Sequence, residues 1–320
     1  MKFHFSLKLH LQFQYNLVLI SFLILTFIFS SCNTKSQISE KQSESKLKNS
    51  FTIKDDIGVE IKFDSIPKKI ISLAPNITEV LFAIGAESVV SGVTDLCDFP
   101  PEAKFKTKTG NYLSPDYETI TSLNPDLVIM YVENSSQPTY QALKNMGLKI
   151  FVSNAKNING VFEMIKDFGV ITGREGIANK IADSLSLIRD NYVIANKDTI
   201  STLLIISVNP LMTANKNTFV NEISELAGFQ NIYKNESIDY PMISYEDVNF
   251  KNPEFIILPT DTTNEQNYTK FVNELNGKLN NLSAVKGKKI ILIDDNVMFR
   301  PGPRVLEGVY LLKNKLNNFR

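Results

Sequence analysis

Two stretches of the chain, YETITSLNPDLVIM (Tyr117–Met130) and YEDVNFKNPEFIIL (Tyr245–Leu258), align with each other without a gap. Each begins with a Tyr-Glu pair at the start of a short predicted helix. The helix ends before an Asn-Pro pair, because the residue before a proline disfavours helical backbone. An apolar run follows in both copies and is typical of a strand buried on both faces. The duplication therefore predicts two similar α/β lobes.

The residues before each copy repeat a second pattern, a strand that ends in a proline. KIISLAP ends at Pro75 before the first copy, and LLIISVNP ends at Pro210 before the second. After Pro75, the spacing of Asn76 and Glu79 predicts a helix N-cap with its capping box. Free backbone N–H groups would then lie at the carboxyl end of a strand, where open α/β sheets bind ligands.

The segments around the two copies define the rest of the predicted organisation. Phe51 to Phe63 alternates around a turn and predicts a β-hairpin at the start of the folded region. Between the copies, apolar residues at helical spacing predict one helix from about Glu175 to about Ala195. Such a helix is roughly 30 Å long and would connect the lobes as a strut. The predicted parts are a first lobe at 51–172, a linking helix at 173–197 and a second lobe at 198–320.

The amino terminus has the features of an export signal. Lysines precede an apolar run from Leu17 to Phe29, and two serines then lead to Cys32. This pattern predicts a lipoprotein signal over residues 1–31, with Cys32 lipidated. A plain signal peptide or an uncleaved anchor are the alternatives, and both would also export the protein. The polar segment 32–50 is expected to be a flexible tether, and Cys97 an unreactive, partly buried thiol.

Composition excludes several classes of protein. The 320 residues are 43% hydrophobic, which suits two domains with substantial cores. Basic and acidic residues both number 34, so the formal net charge is zero and nucleic acid is not an expected partner. Both histidines, His4 and His10, lie in the predicted signal. Histidine-dependent catalysis and zinc sites are therefore not expected.

Five motifs follow one another between about Phe51 and the end of the chain. They are KKIISLAPNITEVLFAIGA, GVTDLCDFPPEAK, GNYLSPDYETITSLNPDLVI, YPMISYEDVNFKNPEFIIL and FRPGPRVLEGVYLL. These motifs resemble those of the periplasmic cobalamin-binding proteins of ABC importers, which belong to the larger group of helical-backbone binding proteins for cobalamin, ferric siderophores and haem. The resemblance implies two α/β lobes joined by one long helix, with a transported ligand clamped between them and no catalytic cofactor.

The resemblance also implies which residues would bind that ligand. Tyr112 and Tyr240 stand where some relatives carry tryptophan, and a tyrosine ring still offers a broad apolar face with a polar tip. Arg300 and Arg304 flank a rigid Pro-Gly-Pro turn, so a guanidinium is expected to face the cleft and bind an anionic group. The alternative for Arg304 is pairing with a local carboxylate. The other expected contacts are Pro75, Asn76, Leu96 and Met212.

One glutamate on each lobe is expected to dock on the transporter. Glu118 and Glu246 occupy equivalent positions of the two copies, and in the family such glutamates enter arginine pockets on the two permease subunits. A two-lobed protein that meets a two-fold transporter needs one matching charge per lobe. The alternative is that each glutamate only stabilises the dipole of its own helix.

The resulting hypothesis is a monomeric, membrane-tethered receptor outside the cytoplasmic membrane. It would bind cobalamin or a related corrinoid and deliver it to an ABC permease with its ATPase subunits. Haem is the nearest alternative ligand, because a cleft tyrosine such as Tyr112 could coordinate its iron. A ferric siderophore is the next alternative, and a surface enzyme that uses carboxylates is a remote one.

Overall fold

A computed structural model describes residues 50–133, 136–195, 199–261, 269, 273 and 277–319 of the chain. The predicted signal, Cys32 and the predicted tether up to residue 49 lie outside the described residues. Across the described ranges, no helix combines the length and the apolar character that crossing a membrane requires.

The first lobe is built on a parallel sheet. Its strands are β1 (Phe51–Lys54), β2 (Glu60–Phe63), β3 (Ile70–Ser72), β4 (Val90–Val93), β5 (Thr107–Lys108), β6 (Leu127–Met130) and β7 (Ile150–Val152). The sheet has the order β5-β4-β3-β6-β7, and β1 and β2 form a separate antiparallel hairpin, as predicted. Every residue of β3, β6 and β7 is buried, as expected for a parallel sheet covered on both faces.

The second lobe repeats this arrangement with one strand fewer in its sheet. Its strands are β8 (Ile200–Leu204), β9 (Ser207–Val208), β10 (Leu211–Met212), β11 (Phe229–Asn231), β12 (Phe255–Thr260) and β13 (Ile290–Asp294). The parallel sheet has the order β11-β8-β12-β13, and β9 and β10 form a short antiparallel pair. In both lobes the strand of the duplicated element, β6 or β12, pairs with the strand that was predicted before that element, β3 or β8.

The helices cover the two sheets and connect them. Those with defined bounds are α1 (Pro75–Ala83), α2 (Tyr117–Ser122), α3 (Gln137–Asn145), α4 (Ile158–Thr172), α5 (Glu175–Ala195), α6 (Phe219–Leu226), α7 (Tyr245–Lys251), α8 (Ser283–Lys286), α9 (Asp295–Phe299) and α10 (Val305–Asn317). The α/β class with two similar lobes is thereby confirmed.

The two copies of the duplicated element have the same local structure. The helix of each copy starts at a side-chain cap, Asp116 for α2 and Ser244 for α7. Each copy then passes through an asparagine with left-handed backbone, at φ 47° for Asn124 and 42° for Asn252. Asparagine adopts this conformation more readily than most residues, and the proline that follows prevents the helix from continuing. The sequence alignment therefore reflects a shared helix-turn-strand unit.

The two lobes share one hydrophobic core. A single cluster of buried side chains includes Phe151 and Phe168 of the first lobe, Ala178 of α5, and Val220 and Phe229 of the second lobe. Opening the lobes widely would expose part of this cluster to water, which is unfavourable in proportion to the apolar area exposed. We therefore expect only small changes in the angle between the lobes.

Helix α5 spans the predicted residues Glu175–Ala195 and packs against α4 at a glycine. A Cβ atom added to Gly169 would overlap the Cβ of Ala178 and lie 3.3 Å from the Cα of Glu175. The absence of a side chain at Gly169 thus lets the two helices approach closely.

We expect Gly169→Ala to lower the free energy of unfolding by about 2 kcal/mol, because overpacking at this contact outweighs the better helix propensity of alanine. The matched control is Gly176→Ala in α5, where the added methyl group has no neighbour within 4 Å. That control should leave stability unchanged or raise it slightly. Urea unfolding of the three proteins measures the difference, and equal stability of Gly169→Ala and the parent would contradict the expectation.

Candidate functional site

A cavity of about 340 Å³ lies between the two lobes. The residues predicted to bind ligand that line it are Pro75, Asn76, Leu96, Tyr112 and Tyr240. They come from both lobes and from segments that are distant in the sequence. The structure therefore brings most of the predicted ligand contacts together around one space.

Three helices begin at this cavity. Pro75 and Asn76 belong to the first turn of α1, Lys156 lies two residues before α4, and Thr218 and Phe219 form the start of α6. The first turn of a helix has backbone N–H groups without partners in the helix, and it carries a partial positive charge. Side chains already accept some of these bonds, because Glu222 accepts from the N–H of Ile158 in α4 and Thr218 from that of Asn221 in α6. The start of α1 has no side-chain cap, so this part of the cavity favours a ligand that presents carbonyl or other oxygen acceptors.

The start of α1 differs from the prediction. The helix begins at Pro75 with Ala74 as its N-cap, and no side chain caps it. Proline suits the first helical position because its missing N–H would have no helical partner there. The amide of Asn76 instead donates a 3.3 Å hydrogen bond to the carbonyl oxygen of Pro301 in the second lobe. The predicted N-cap role of Asn76 and its capping box with Glu79 are therefore wrong.

Tyrosines from both lobes form an aromatic wall. Tyr131, which the sequence analysis missed, lines the cavity together with Tyr112 and Tyr240. Burial and the nearby Tyr131 and Asp239 raise the pKa of Tyr240 to about 12. Burial and the charge of Glu133 also raise the pKa of Tyr131. Both phenols stay protonated near neutral pH, so each presents an apolar ring and a hydroxyl group.

The cavity also contains side chains of opposite charge that were not predicted. Lys156 comes from the first lobe and Asp239 from the second. Asp239 precedes Tyr240, and Lys156 lies in the loop between β7 and α4. The sequence contained a signal for Lys156, because it lies in the loop that follows a parallel strand. Such loops meet at the edge of the sheet where α/β proteins bind ligands.

The two arginines lie elsewhere than predicted. Neither is among the residues that line the cavity. Arg304 binds the carboxylate of Glu79 with two hydrogen bonds, Nε to Oε2 at 2.9 Å and Nη2 to Oε1 at 2.8 Å. Arg300 lies 2.6 Å from Asp98 and 3.4 Å from Glu79. The Glu79 side chain is only 1% exposed, and a buried carboxylate requires compensating partners, so it holds both guanidinium groups.

Met212 also lies outside the cavity lining. It ends β10 and forms a backbone bridge with Met242. The backbone N–H of Thr213 donates to the carbonyl oxygen of Pro241, next to Tyr240. Met212 therefore belongs to the strand that supports the Tyr240 loop.

Glu118 and Glu246 are exposed and occupy equivalent places on the two lobes. Each is the second residue of its helix, α2 or α7. Both helices follow a segment that contributes a tyrosine to the cavity, Tyr112 in the first lobe and Tyr240 in the second. At these equivalent positions, each lobe thus presents an exposed carboxylate outside the cavity.

Comparisons with known proteins agree with this architecture. A family model described as periplasmic binding protein matches residues 70–297. An uncharacterized ABC transporter substrate-binding lipoprotein of Bacillus subtilis, YvrC, is 28% identical over 84% of this chain and 87% of its own length. A vitamin B12-binding protein of Vibrio cholerae is 26% identical over 76% of this chain and 86% of its own.

A solved structure extends the likeness to three dimensions. The periplasmic vitamin B12 binding protein BtuF of Vibrio cholerae matches with a TM-score of 0.65 and 26% identity. The match covers 79% of this chain and 98% of that one. With the family match over most of the folded region, these findings show that the chain belongs to the periplasmic binding protein family of ABC transporters, whose members bind and deliver substrates rather than catalyse reactions.

Proposed function

We propose that this protein is an exported receptor that binds cobalamin or a related corrinoid in the cavity between its lobes. It delivers the ligand to an ABC permease and its ATPase subunits, and it acts as a monomer. The wall formed by Tyr112, Tyr131 and Tyr240 carries this proposal. Their rings can lie against a flat macrocycle, while the hydroxyl groups and helix starts suit the amide groups at its edge.

The arginines do not offer the cavity a partner for ligand carboxylates, and the charged residues that line it, Lys156 and Asp239, are one of each sign. Arg300 and Arg304 are paired with acidic side chains of the first lobe, so neither guanidinium is offered to an anionic ligand. Cobalamin carries neutral amides around its ring, whereas haem carries propionates and many siderophores are anionic. The vitamin B12-binding relative at 26% identity supports the same choice.

Haem is the second candidate because a cavity tyrosine could coordinate its iron as a phenolate. The raised pKa values of Tyr131 and Tyr240 oppose this role, since both phenols resist losing their protons. Tyr112, the third tyrosine of the cavity wall, is therefore the candidate ligand for the haem iron.

Titration of the purified protein with cyanocobalamin, and separately with haemin, tests the proposal. Calorimetry and absorbance should show tight one-to-one binding of cyanocobalamin with recovery of unchanged ligand. A haem spectrum with phenolate character that is lost in Tyr112→Phe would instead assign haem. Binding of neither would refute both ligands and make ferric siderophores the next to test.

We also propose that Glu118 and Glu246 dock on the two permease subunits. Support comes from their equivalent positions in the duplicated helix-turn-strand unit, one on each lobe. Their exposure leaves both carboxylates accessible to basic partners.

A lipid on Cys32 is the proposed membrane anchor. The predicted signal before Cys32 and the printed name of the lipoprotein relative YvrC support it. We expect Cys32→Ser to abolish incorporation of radiolabelled palmitate and to move the protein from the membrane fraction to the soluble fraction. The control is Cys97→Ser, which alters the other cysteine, a buried thiol, and should keep the label. Retention of label by Cys32→Ser would exclude this anchor.

A further inference from the structure

Four charged residues form a cluster that crosses from one lobe to the other. This interlobe cluster consists of Glu79 and Asp98 of the first lobe and Arg300 and Arg304 of the second. Glu79 lies at its centre, because one of its oxygens, Oε1, is within 4 Å of both guanidinium groups. The side chains of Arg300 and Arg304 are 15% and 20% exposed, so the central contacts are largely shielded from water.

An aromatic ring beside the interlobe cluster further restricts the position of Arg304. The guanidinium of Arg304 lies 3.9 Å from the ring centroid of Phe99 in the first lobe. A planar guanidinium held by a two-point hydrogen bond and stacked on an aromatic ring has little freedom to rotate. The guanidinium group of Arg304 is therefore held to the first lobe by hydrogen bonds at its edge and by the aromatic ring against its face.

The cluster is directly connected to the cavity. Glu79 lies one helical turn after Asn76 in α1, and Arg300 precedes Pro301. Asn76 and Pro301 both line the cavity and are joined by the interlobe hydrogen bond. The Nη2 of Arg300 also lies 3.5 Å from the carbonyl oxygen of Leu96, another lining residue. The ion pairs thus fix the distance between the first-lobe and second-lobe sides of the cavity near Asn76 and Pro301.

We propose that Glu79 is a positioning residue for the cavity. It holds Asn76 and Leu96 of the first lobe against Pro301 of the second and keeps both arginines away from the ligand. This inference rests on the proposed function, because it assigns Glu79 a role in shaping the same ligand site.

A double-mutant cycle in ligand affinity tests this role. Glu79→Gln, Arg304→Gln and the double variant are titrated with cyanocobalamin at a temperature where all are folded. Glu79→Gln is expected to weaken binding about tenfold and Arg304→Gln by up to as much, and the double variant should bind no worse than Glu79→Gln alone, because the Arg304 contact is already lost when Glu79 is replaced. The matched control is Glu254→Gln, which breaks the 2.8 Å ion pair with Lys289 inside the second lobe and should leave affinity unchanged.

Three outcomes would overturn the proposal. They are unchanged affinity in Glu79→Gln, an equal loss in Glu254→Gln, and additive losses in the double variant, which would show that Arg304 contacts the ligand independently. If the parent binds haemin instead of cyanocobalamin, the same cycle is performed with haemin.

If the parent binds neither probe, the proposed ligands fail and the positioning role is tested by hydrogen–deuterium exchange. Amide exchange at the start of α1 and around Leu96 should then be faster in Glu79→Gln than in the parent and in Glu254→Gln, and unchanged exchange there would refute the inference.

Discussion

Cells that carry Glu118→Arg together with Glu246→Arg should lose uptake of radiolabelled cyanocobalamin, while the purified variant binds cyanocobalamin as tightly as the parent. Both glutamates are exposed and lie outside the cavity lining, so their replacement should not disturb the ligand. If these glutamates dock as proposed, each reversal replaces attraction to a basic pocket by repulsion, and like-charge contacts at an interface cost several kcal/mol. Two such contacts are sufficient to prevent a productive complex.

The control variant makes the same change in net charge elsewhere. Glu87→Arg together with Glu175→Arg alters two exposed glutamates, one of the first lobe and one at the start of α5. That variant should support normal uptake. Equal loss of uptake in both double variants would point to a general effect of charge, and loss of ligand affinity in the Glu118/Glu246 variant would refute the docking assignment.

Replacing Tyr240 by alanine should weaken cyanocobalamin binding about a hundredfold. Aromatic residues that fill the centre of a binding site lose about 2–4 kcal/mol when truncated. Tyr240 is suited to such a role, because its loop is fixed by the bonds from Thr213 to Pro241 and from Asn215 to Asp239. A ring held in place before binding loses little conformational freedom when the ligand arrives.

Two further variants separate the ring of Tyr240 from its hydroxyl group. Tyr240→Phe should bind within about fivefold of the parent, since a single neutral hydrogen bond contributes about 1 kcal/mol. Tyr310→Ala alters an exposed tyrosine of α10 and should have no effect. Because the pKa of Tyr240 is raised to about 12, it remains protonated and the affinity should not change between pH 6 and pH 9 through this group. Calorimetry that shows equal affinity for Tyr240→Ala and the parent would exclude Tyr240 from the site.

Local patterns predicted much of the architecture. The duplicated unit contains its own start and stop signals, so Asp116, Ser244 and the Asn-Pro pairs specify the same fold in both lobes. The bounds of α5 also follow from helical spacing that needs no distant contact. In such segments the residues that determine the structure are neighbours in the sequence.

Contacts between distant segments were not predictable in the same way. Glu79 was assigned to a capping box with Asn76, which is the nearest partner in sequence, but it pairs with Arg304, 225 residues away. The arginines were assigned to the ligand for the same reason, since nothing near them in the sequence indicates a buried carboxylate. Lys156, Tyr131 and Asp239 lie in loops whose convergence becomes visible only when the sheets are assembled.

The pairing of Glu79 with Arg304 constrains how this sequence can evolve. Loss of Glu79 removes the carboxylate that both guanidinium groups contact, and loss of Arg304 leaves the buried Glu79 with Arg300 alone, at 3.4 Å, so single substitutions at positions 79 and 304 are unfavourable. Paired substitutions that replace both residues together avoid an incompletely paired charge. Across descendants of this gene, positions 79 and 304 should therefore covary, although 225 residues separate them.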